Sequence, residues 1–100
     1  MKYRLVVSPR ANADLNSVAL WYLNIDSNLA SRFLAETDTV LRRITRMPHA
    51  FPVRAGSFRQ ALLKRFPYLI YYFVKMNVVV VSAILHQRRS DPPWLDRGER

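Results

Sequence analysis

The fold of this chain is decided by residues 66–85, which read FPYLIYYFVKMNVVVVSAIL. A helix of about twenty apolar residues is long enough to cross a bilayer. However, Lys75 and Asn77 lie in the middle of this stretch, where a lysine costs about 2.5–3.5 kcal/mol on membrane insertion. Val, Ile, Tyr and Phe dominate the stretch, and these residues favour strands. We therefore predict two buried strands, over residues 68–74 and 78–85, joined by a turn that contains both polar residues.

Two helices are predicted upstream of these strands, after a first strand over residues 2–7. Ser8 is suited to accept a hydrogen bond from the free amides of a helix start, and Pro9 is tolerated at the first helical position. The polar residues 26–28 end the first helix. Its apolar residues recur at helical spacing and are Ala11, Leu15, Val18, Ala19 and Tyr22.

The second helix is predicted from about residue 29 to Met47. Its acidic residues lie in the first half, and its arginines lie in the last turns, where the helix dipole favours cations. Pro48 stops the helix. Because the link between the two helices is short, they should form an antiparallel hairpin. The apolar stripe of the second helix consists of Ala30, Phe33, Thr37, Val40, Leu41, Ile44 and Met47.

The remaining elements complete an α+β fold. Residues 48–58, which contain two prolines and a glycine, are predicted as a loop. Residues 59–66 form a further strand, which Pro67 ends. The predicted order is therefore β-α-α-β-β-β, and the simplest arrangement is an antiparallel sheet with the helical hairpin packed against one face. The length fits a single domain over residues 1–100.

The charge of the chain predicts an acidic partner. Sixteen Lys and Arg residues against seven Asp and Glu residues give a net charge of +9. Such a surface attracts nucleic acid, an anionic membrane or an acidic protein. Thirteen of the sixteen basic residues are arginines, whose planar guanidinium groups bind carboxylates and phosphates with two hydrogen bonds.

The composition excludes several classes of chemistry. The chain has no cysteine and only two glycines, so it has no disulfide scaffold, thiolate metal site or glycine-rich phosphate loop. His49 and His86 are far apart in sequence and do not form a metal-binding pair. We expect no metal and no cofactor. No apolar stretch of signal-peptide length follows the first residues, which predicts a cytoplasmic protein with no membrane partner.

Two segments of the second half carry a family resemblance. Residues 59–72 read RQALLKRFPYLIYY, and residues 83–97 read AILHQRRSDPPWLDR. Together they resemble ParE-type toxins of the RelE/ParE superfamily of bacterial toxin–antitoxin modules. In the first half, Trp21 and Tyr22 fall where that family has its helical hairpin. The resemblance covers nearly the whole chain and implies the superfamily's α+β fold.

The resemblance also implies a function. ParE-like proteins are toxins that poison DNA gyrase, and such modules serve in plasmid stabilisation. A cognate antitoxin, ParD-like or similar, neutralises the toxin with an acidic C-terminal segment and binds operator DNA through its N-terminal part. The resemblance therefore favours an inhibitor over an enzyme. Two other functions remain open: a ribosome-dependent mRNA endonuclease like RelE, and an inactive toxin that acts as a co-repressor. Direct, sequence-independent DNA binding is a further alternative, although no reading motif is recognisable.

If the chain is a nuclease, it needs a base, an acid and cations around a phosphate. The candidates are one histidine and four arginines: His86, Arg59, Arg65, Arg88 and Arg89. RelE-like nucleases carry a tyrosine near the C-terminus, whereas here no tyrosine follows Tyr72. This departure favours the inhibitor, although some relatives use a terminal histidine.

The residues predicted to contact the target or the antitoxin are basic or aromatic. His86 either binds the target or has a structural role, bonded to a backbone carbonyl or to Asp91. Trp94 either fixes the C-terminal segment to the core or anchors an interface. Trp21 either packs on the second helix or lies in the antitoxin groove. The full set is Arg59, Arg65, His86, Arg88, Arg89, Trp94, Arg97 and Trp21.

Overall fold

The structure, a computed structural model, describes residues 2–88. Two long helices follow a short first strand, and four further strands follow the helices within the described residues. A 3₁₀ turn at Pro48–Ala50 separates the helices from the last four strands. The elements are β1 (Arg4–Val7), α1 (Pro9–Ile25), α2 (Ser27–Arg46), β2 (Val53–Ala55), β3 (Phe58–Leu62), β4 (Tyr68–Lys75) and β5 (Val78–His86).

The five strands form one sheet in the order β1-β5-β4-β3-β2. β2, β3, β4 and β5 pair with one another in antiparallel fashion. The expectation of a wholly antiparallel sheet is wrong at one edge, where β1 runs parallel to β5 from Arg4 opposite Val78 to Val7 opposite Val81. The parallel pairing begins at the β4–β5 turn, where Arg4 N–H donates to the carbonyl of Asn77 at 2.8 Å. From there β1 and β5 run in the same direction. β5 is thus paired on both sides, as its continuous apolar run predicts.

The helical hairpin is confirmed, and its link is shorter than predicted. Ser8 caps α1 by accepting the Ala11 N–H at 3.1 Å, and Pro9 is the first helical residue. Asp26 ends α1 and also caps α2, because its Oδ1 accepts the Asn28 N–H at 2.9 Å. Asp26 alone therefore separates the two helices, where a polar break over residues 26–28 was predicted. As a result, α2 begins at Ser27 instead of residue 29.

The hairpin buries one face of the sheet. The α2 stripe contributes Phe33 and Ile44 to the core, and the sheet contributes Ile70 and Tyr72, all fully buried. Met47 is the exception to the predicted stripe. It is 59% exposed, because α2 ends at Arg46 and the chain turns away into the 3₁₀ helix.

One strand was not predicted, and another ends earlier than predicted. A short strand, β2, lies within residues 48–58, which were predicted as loop, and it pairs with β3 through an irregular register. The link between β2 and β3 is two residues long, and it uses Gly56 at φ 57°, a conformation that glycine adopts without a steric penalty. β3 ends at Leu62 rather than residue 66, since residues 63–67 turn the chain back: Leu63 N–H donates to the Tyr68 carbonyl at 3.0 Å.

A bulge in β5 shifts the alternation of its side chains, so that Val79 and Val81 before it and Ile84 after it lie in the core cluster under the helices. Tyr71 lies opposite Ala83 and Tyr72 opposite Val81, so Ser82 is the extra residue. Beyond Val81, β1 no longer covers the edge of β5, and α1 takes its place. Its capping Ser8 donates to the Ser82 carbonyl at 3.3 Å, and its Asp14 Oδ2 accepts the Ile84 N–H at 3.1 Å.

The sheet face opposite the helices carries a second buried cluster, formed by Leu69, Tyr71, Ala83 and Leu85. Alternation along β4 sends Tyr71 to this face and Tyr72 to the helical face. Within the described residues, no helix is long and apolar enough to span a membrane.

Candidate functional site

The candidate site lies at the end of the sheet where β4 begins and β5 ends. Tyr68 is the register partner of His86, and Gln87 N–H donates to the Pro67 carbonyl at 2.8 Å. These contacts bring the β3–β4 turn (residues 63–67) beside the residues that follow β5. Tyr22, in the C-terminal part of α1, packs against Phe66 of the turn and against Tyr68.

An aromatic cluster connects this end of the sheet to the core. We define the aromatic cluster as Trp21, Tyr22, Phe33, Phe66, Tyr68 and His86. The Tyr22 ring lies 5.1 Å from Phe66 and 5.5 Å from Phe33, and the Tyr68 ring lies 5.2 Å from His86. Several of the pairs meet edge to face, a geometry that contributes about 0.5–1.5 kcal/mol per pair beyond burial.

The aromatic cluster runs from the interior to the surface. Phe33 is fully buried, whereas Trp21 is 58% exposed, and its ring lies 5.1 Å from that of Tyr22. Burial raises the pKa of Tyr68. Burial, and then the neighbouring Tyr68, raise the pKa of Tyr22. Both phenols are therefore neutral at pH 7, and the rings present hydrogen-bonding but uncharged groups beside the exposed indole.

Three cationic residues lie close in sequence to Phe66 or His86 of the aromatic cluster. Arg65 and Lys64 are exposed on the β3–β4 turn, and Arg88 is exposed just after β5. The turn is held by Glu36 of α2, whose Oε2 accepts the Lys64 N–H and, at 3.0 Å, the Arg65 N–H. Because the carboxylate binds the backbone of the turn, the side chains of Lys64 and Arg65 remain available to a partner. A groove of about 500 Å³ runs between this turn and α2.

His86 is positioned by the chain that follows it. Its Nδ1 accepts the backbone N–H of Arg88 at 3.1 Å, so the neutral ring carries its proton on Nε2. This contact differs from the structural alternative of a bond to a backbone carbonyl, and Asp91 lies outside the described residues. The half-buried ring therefore offers a hydrogen-bond donor close to Arg88.

Arg59 lies elsewhere in the molecule. It pairs across the sheet with Tyr72, four residues along β4 from Tyr68, which is about 13 Å at the usual rise of a strand. Its Nη1 donates to the Phe51 carbonyl at 2.6 Å and to the His49 carbonyl at 3.4 Å. Its guanidinium thus closes the 48–52 segment onto β3.

The structure therefore brings together Trp21, Arg65, His86 and Arg88 and separates Arg59 from them. Arg89, Trp94 and Arg97 lie outside the described residues. Sequence reasoning missed Glu36, because nothing in its pattern links it to a turn 28 residues later. It also missed Lys64 and the ring of Phe66, although the Phe-Pro-Tyr phrase was a signal for the ring. No group of three metal-ligating side chains occurs among residues 2–88.

A second surface with binding character lies on the outer side of the hairpin. A groove of about 510 Å³ runs between α1 and α2. Leu20, Leu23 and Leu34 are between 44% and 60% exposed along it. Among residues 2–88, no charged side chain lines this hairpin groove; its lining is Asn16, Ala19, Leu20, Leu23, Ser27, Ala30, Ser31 and Leu34.

The fold of this chain is found in a known protein. A solved structure titled "Chromosomal ParDE TA system from P. aeruginosa" is similar to this chain with a TM-score of 0.76 and 17% sequence identity, over 85% of this chain and 96% of that chain. This similarity shows the fold, and it confirms the RelE/ParE-like α+β architecture. Among curated proteins, none matches this sequence.

The family follows from the sequence. Residues 5–91 match the family described as "ParE toxin of type II toxin-antitoxin system, parDE". The match covers well over half of the chain, and the chain belongs to the ParE toxin family, as the resemblance predicted.

Proposed function

We propose that this protein is the toxin of a type II toxin–antitoxin module, that it inhibits DNA gyrase, and that a cognate antitoxin neutralises it. The observation that carries the proposal is the family match over residues 5–91. The basic and aromatic end of the sheet supplies the contact surface. A cytoplasmic location is part of the proposal, since gyrase acts on DNA there.

The chemistry of that surface suits binding to a large acidic target. An exposed tryptophan and arginines are the side chains that most often dominate interface energies. Arg65 and Arg88 suit carboxylates or DNA phosphates, because the guanidinium group makes two parallel hydrogen bonds to either. Trp21 supplies apolar area beside them. Inhibition of this kind needs no bond-breaking step by the toxin itself.

Two features support an antitoxin partner. The uncharged hairpin groove suits the apolar face of an amphipathic helix, and exposed apolar patches of this kind mark interaction sites. The net charge of +9 suits the acidic segment predicted for a ParD-like antitoxin. The same proposal places operator-DNA binding in the antitoxin.

The test is a titration of purified gyrase with this protein, with and without the antitoxin encoded beside it. We expect loss of supercoiling or accumulation of cleaved DNA, and relief of both by the antitoxin. Unchanged supercoiling and cleavage at a large molar excess of the protein would contradict the gyrase target.

The endonuclease remains the second candidate because the His86 ring, held by the backbone N–H of Arg88, presents Nε2 as a hydrogen-bond donor. It predicts cleavage of mRNA in a ribosome-dependent translation reaction, abolished by His86→Gln. If neither gyrase nor translation responds while the antitoxin still binds, the inactive co-repressor is the better description.

A further inference from the structure

The sheet face opposite the helices is buried at one end, although no described element forms a layer above it. Tyr71 and Ala83 are 0% exposed there, and Leu69 and Leu85 are buried beside them. All five strands lie in one sheet, and both helices contribute to the cluster on the other face. Within residues 2–88, therefore, neither a helix nor a strand accounts for the burial of this second face.

The neighbours of Tyr71 within the sheet do not exclude water from its ring. Its cross-strand partners are Ala83 on β5 and Gln60 on β3. An alanine reaches one carbon atom above the sheet, whereas a tyrosine side chain stands roughly perpendicular to the sheet and extends well beyond it. Full burial of Tyr71 therefore requires a group that lies over the sheet, as on any sheet face that packs against a second layer.

The buried part of this face has the shape of a strip. The buried strip runs from Leu85 at the end of β5, through Tyr71, to Phe58 of β3, which is 5% exposed. On the same face, Leu62 is 55% exposed on one side of the strip, and Val6 is 42% exposed on the other. A second layer of helices or strands would bury these flanks too, so the cover is about as wide as a single chain.

The cover belongs to this chain, because the strip is already buried in the single protomer. Only Met1 and residues 89–100 lie outside the described part of the chain. Met1 precedes β1, which pairs with the far end of β5, about 23 Å along that strand from Leu85. Residues 89–100, in contrast, come shortly after the end of β5, where the buried strip begins.

The composition of this C-terminal segment suits the strip. Its apolar side chains are consecutive, from Pro92 to Leu95, and Asp91 and Asp96 flank them. Prolines favour an extended chain and lack a backbone N–H, so a Pro-Pro pair crosses an apolar surface without burying unpaired donors. A tryptophan buries about 150–250 Å² of surface, which makes Trp94 the side chain best able to cover a tyrosine ring.

We infer that residues 92–95 lie along the buried strip, with the indole of Trp94 over the ring of Tyr71. Four residues along β4 and two strand spacings make the strip about 16 Å long, and twelve extended residues span up to about 40 Å, so the segment is long enough. This docking fixes the direction in which the chain leaves the candidate site after Arg88. The inference concerns this chain alone and does not rest on the proposed function.

The two tryptophans allow a fluorescence test in the full-length protein. Trp21→Phe leaves Trp94 as the single indole, and Trp94→Phe leaves Trp21, which is 58% exposed, as the matched control. We expect Trp94 to emit at a shorter wavelength than Trp21 and to be quenched several-fold less by acrylamide, at every protein concentration. Circular dichroism checks that both variants fold. Emission and quenching of Trp94 like those of the urea-unfolded chain would overturn the inference. Protection that is lost on dilution would also overturn it, since the cover would then be a second copy.

Truncation of the proposed cover gives a second test. Trp94→Ala should lower the urea midpoint of unfolding and increase the binding of a dye that reports exposed apolar surface, because the strip loses its cover. Trp21→Ala removes the same side chain from an exposed position and should change both quantities less. Equal changes in the two variants would contradict the inference.

NMR of the isotope-labelled wild type tests the contact without any substitution. We expect nuclear Overhauser effects from the indole of Trp94 to the ring of Tyr71 and to the methyl group of Ala83. Effects to a different surface only, or chemical shifts of an unfolded chain over residues 92–95, would overturn the inference. None of these measurements uses gyrase or an antitoxin, so failure here is distinct from failure of the proposed function.

Discussion

Tyr72 joins three segments of the molecule through one buried side chain. Its hydroxyl donates to the Pro48 carbonyl at 2.5 Å, and its ring lies 6.3 Å from Phe51. Its cross-strand neighbour Arg59 donates to the Phe51 carbonyl. The segment between α2 and β2 is therefore held by two side chains of the sheet, and both act on backbone carbonyls.

Tyr72→Phe should lower the free energy of unfolding by about 1–3 kcal/mol, because it leaves the Pro48 carbonyl without its partner in a buried site. The aromatic ring, and hence most of the packing, is kept. Denaturant unfolding measures the change. Tyr68→Phe is the matched control, since Tyr68 is only partly buried and should lose little; equal losses would contradict the role of the Pro48 contact.

Tyr72 also makes stability depend on pH at the alkaline end. Burial raises the pKa of Tyr72 from 10.0 to about 12, against the lowering effect of Arg59. As pH rises above the unfolded pKa, the unfolded chain releases this proton and the folded protein keeps it, so stability falls until the folded pKa is reached. The free energy of unfolding of the wild type should fall more steeply from about pH 10 to pH 12 than that of Tyr72→Phe. Parallel pH profiles would show that Tyr72 does not carry this dependence.

The β3–β4 turn is the element that connects the fold to the candidate site. It carries Lys64 and Arg65 at the surface and Phe66 in the core, and Glu36 of α2 holds its backbone. The Pro67 carbonyl of the turn also accepts the N–H of Gln87, the residue that follows β5. A single carboxylate thus sets the position of two exposed cations.

Glu36→Ala should release this turn. The loss of two hydrogen bonds to a charged acceptor at an exposed site should cost about 1–2 kcal/mol of stability and speed hydrogen exchange at the Lys64 and Arg65 amides. Asp38→Ala, which removes an exposed ion pair of the same helix, is the control and should change both quantities little. Unchanged exchange in Glu36→Ala would mean that the turn is held by other contacts.

The elements that local signals specify were predictable, and those that depend on distant partners were not. The apolar runs of β4 and β5 and the helical spacing of Phe33 and Ile44 appear within a few residues of sequence. In contrast, the parallel pairing of β1, the short β2 and the Glu36 contact arise from segments brought together by folding. At the site, Trp21, Arg65, His86 and Arg88 were proposed from residue type, and the structure places them at one end of the sheet. The role of Arg59 in closing residues 48–52 has no local signal.

The whole molecule carries a net charge of +9 and exposes apolar side chains on the hairpin. A partner that covers both features binds only the folded toxin and therefore stabilises it by mass action. At an antitoxin concentration about 100 times its Kd, this effect is about 2.7 kcal/mol, which corresponds to a rise in Tm of about 11–22 °C for a domain of this size. Calorimetry of the toxin alone and with antitoxin tests this, and equal Tm values at saturation would contradict a cognate pair.

We propose that the basic and aromatic end of the sheet is the surface that inhibits gyrase, and the decisive test is a DNA cleavage and supercoiling assay with charge-reversed variants. Arg65→Glu combined with Arg88→Glu should reduce inhibition at least about tenfold, since each reversal replaces attraction to an acidic target with repulsion. Lys75→Glu, at the opposite end of β4, is the single-site control and should inhibit as the wild type does. If the double variant inhibits gyrase as strongly as Lys75→Glu, or if the wild type does not inhibit gyrase at all, the claim is contradicted.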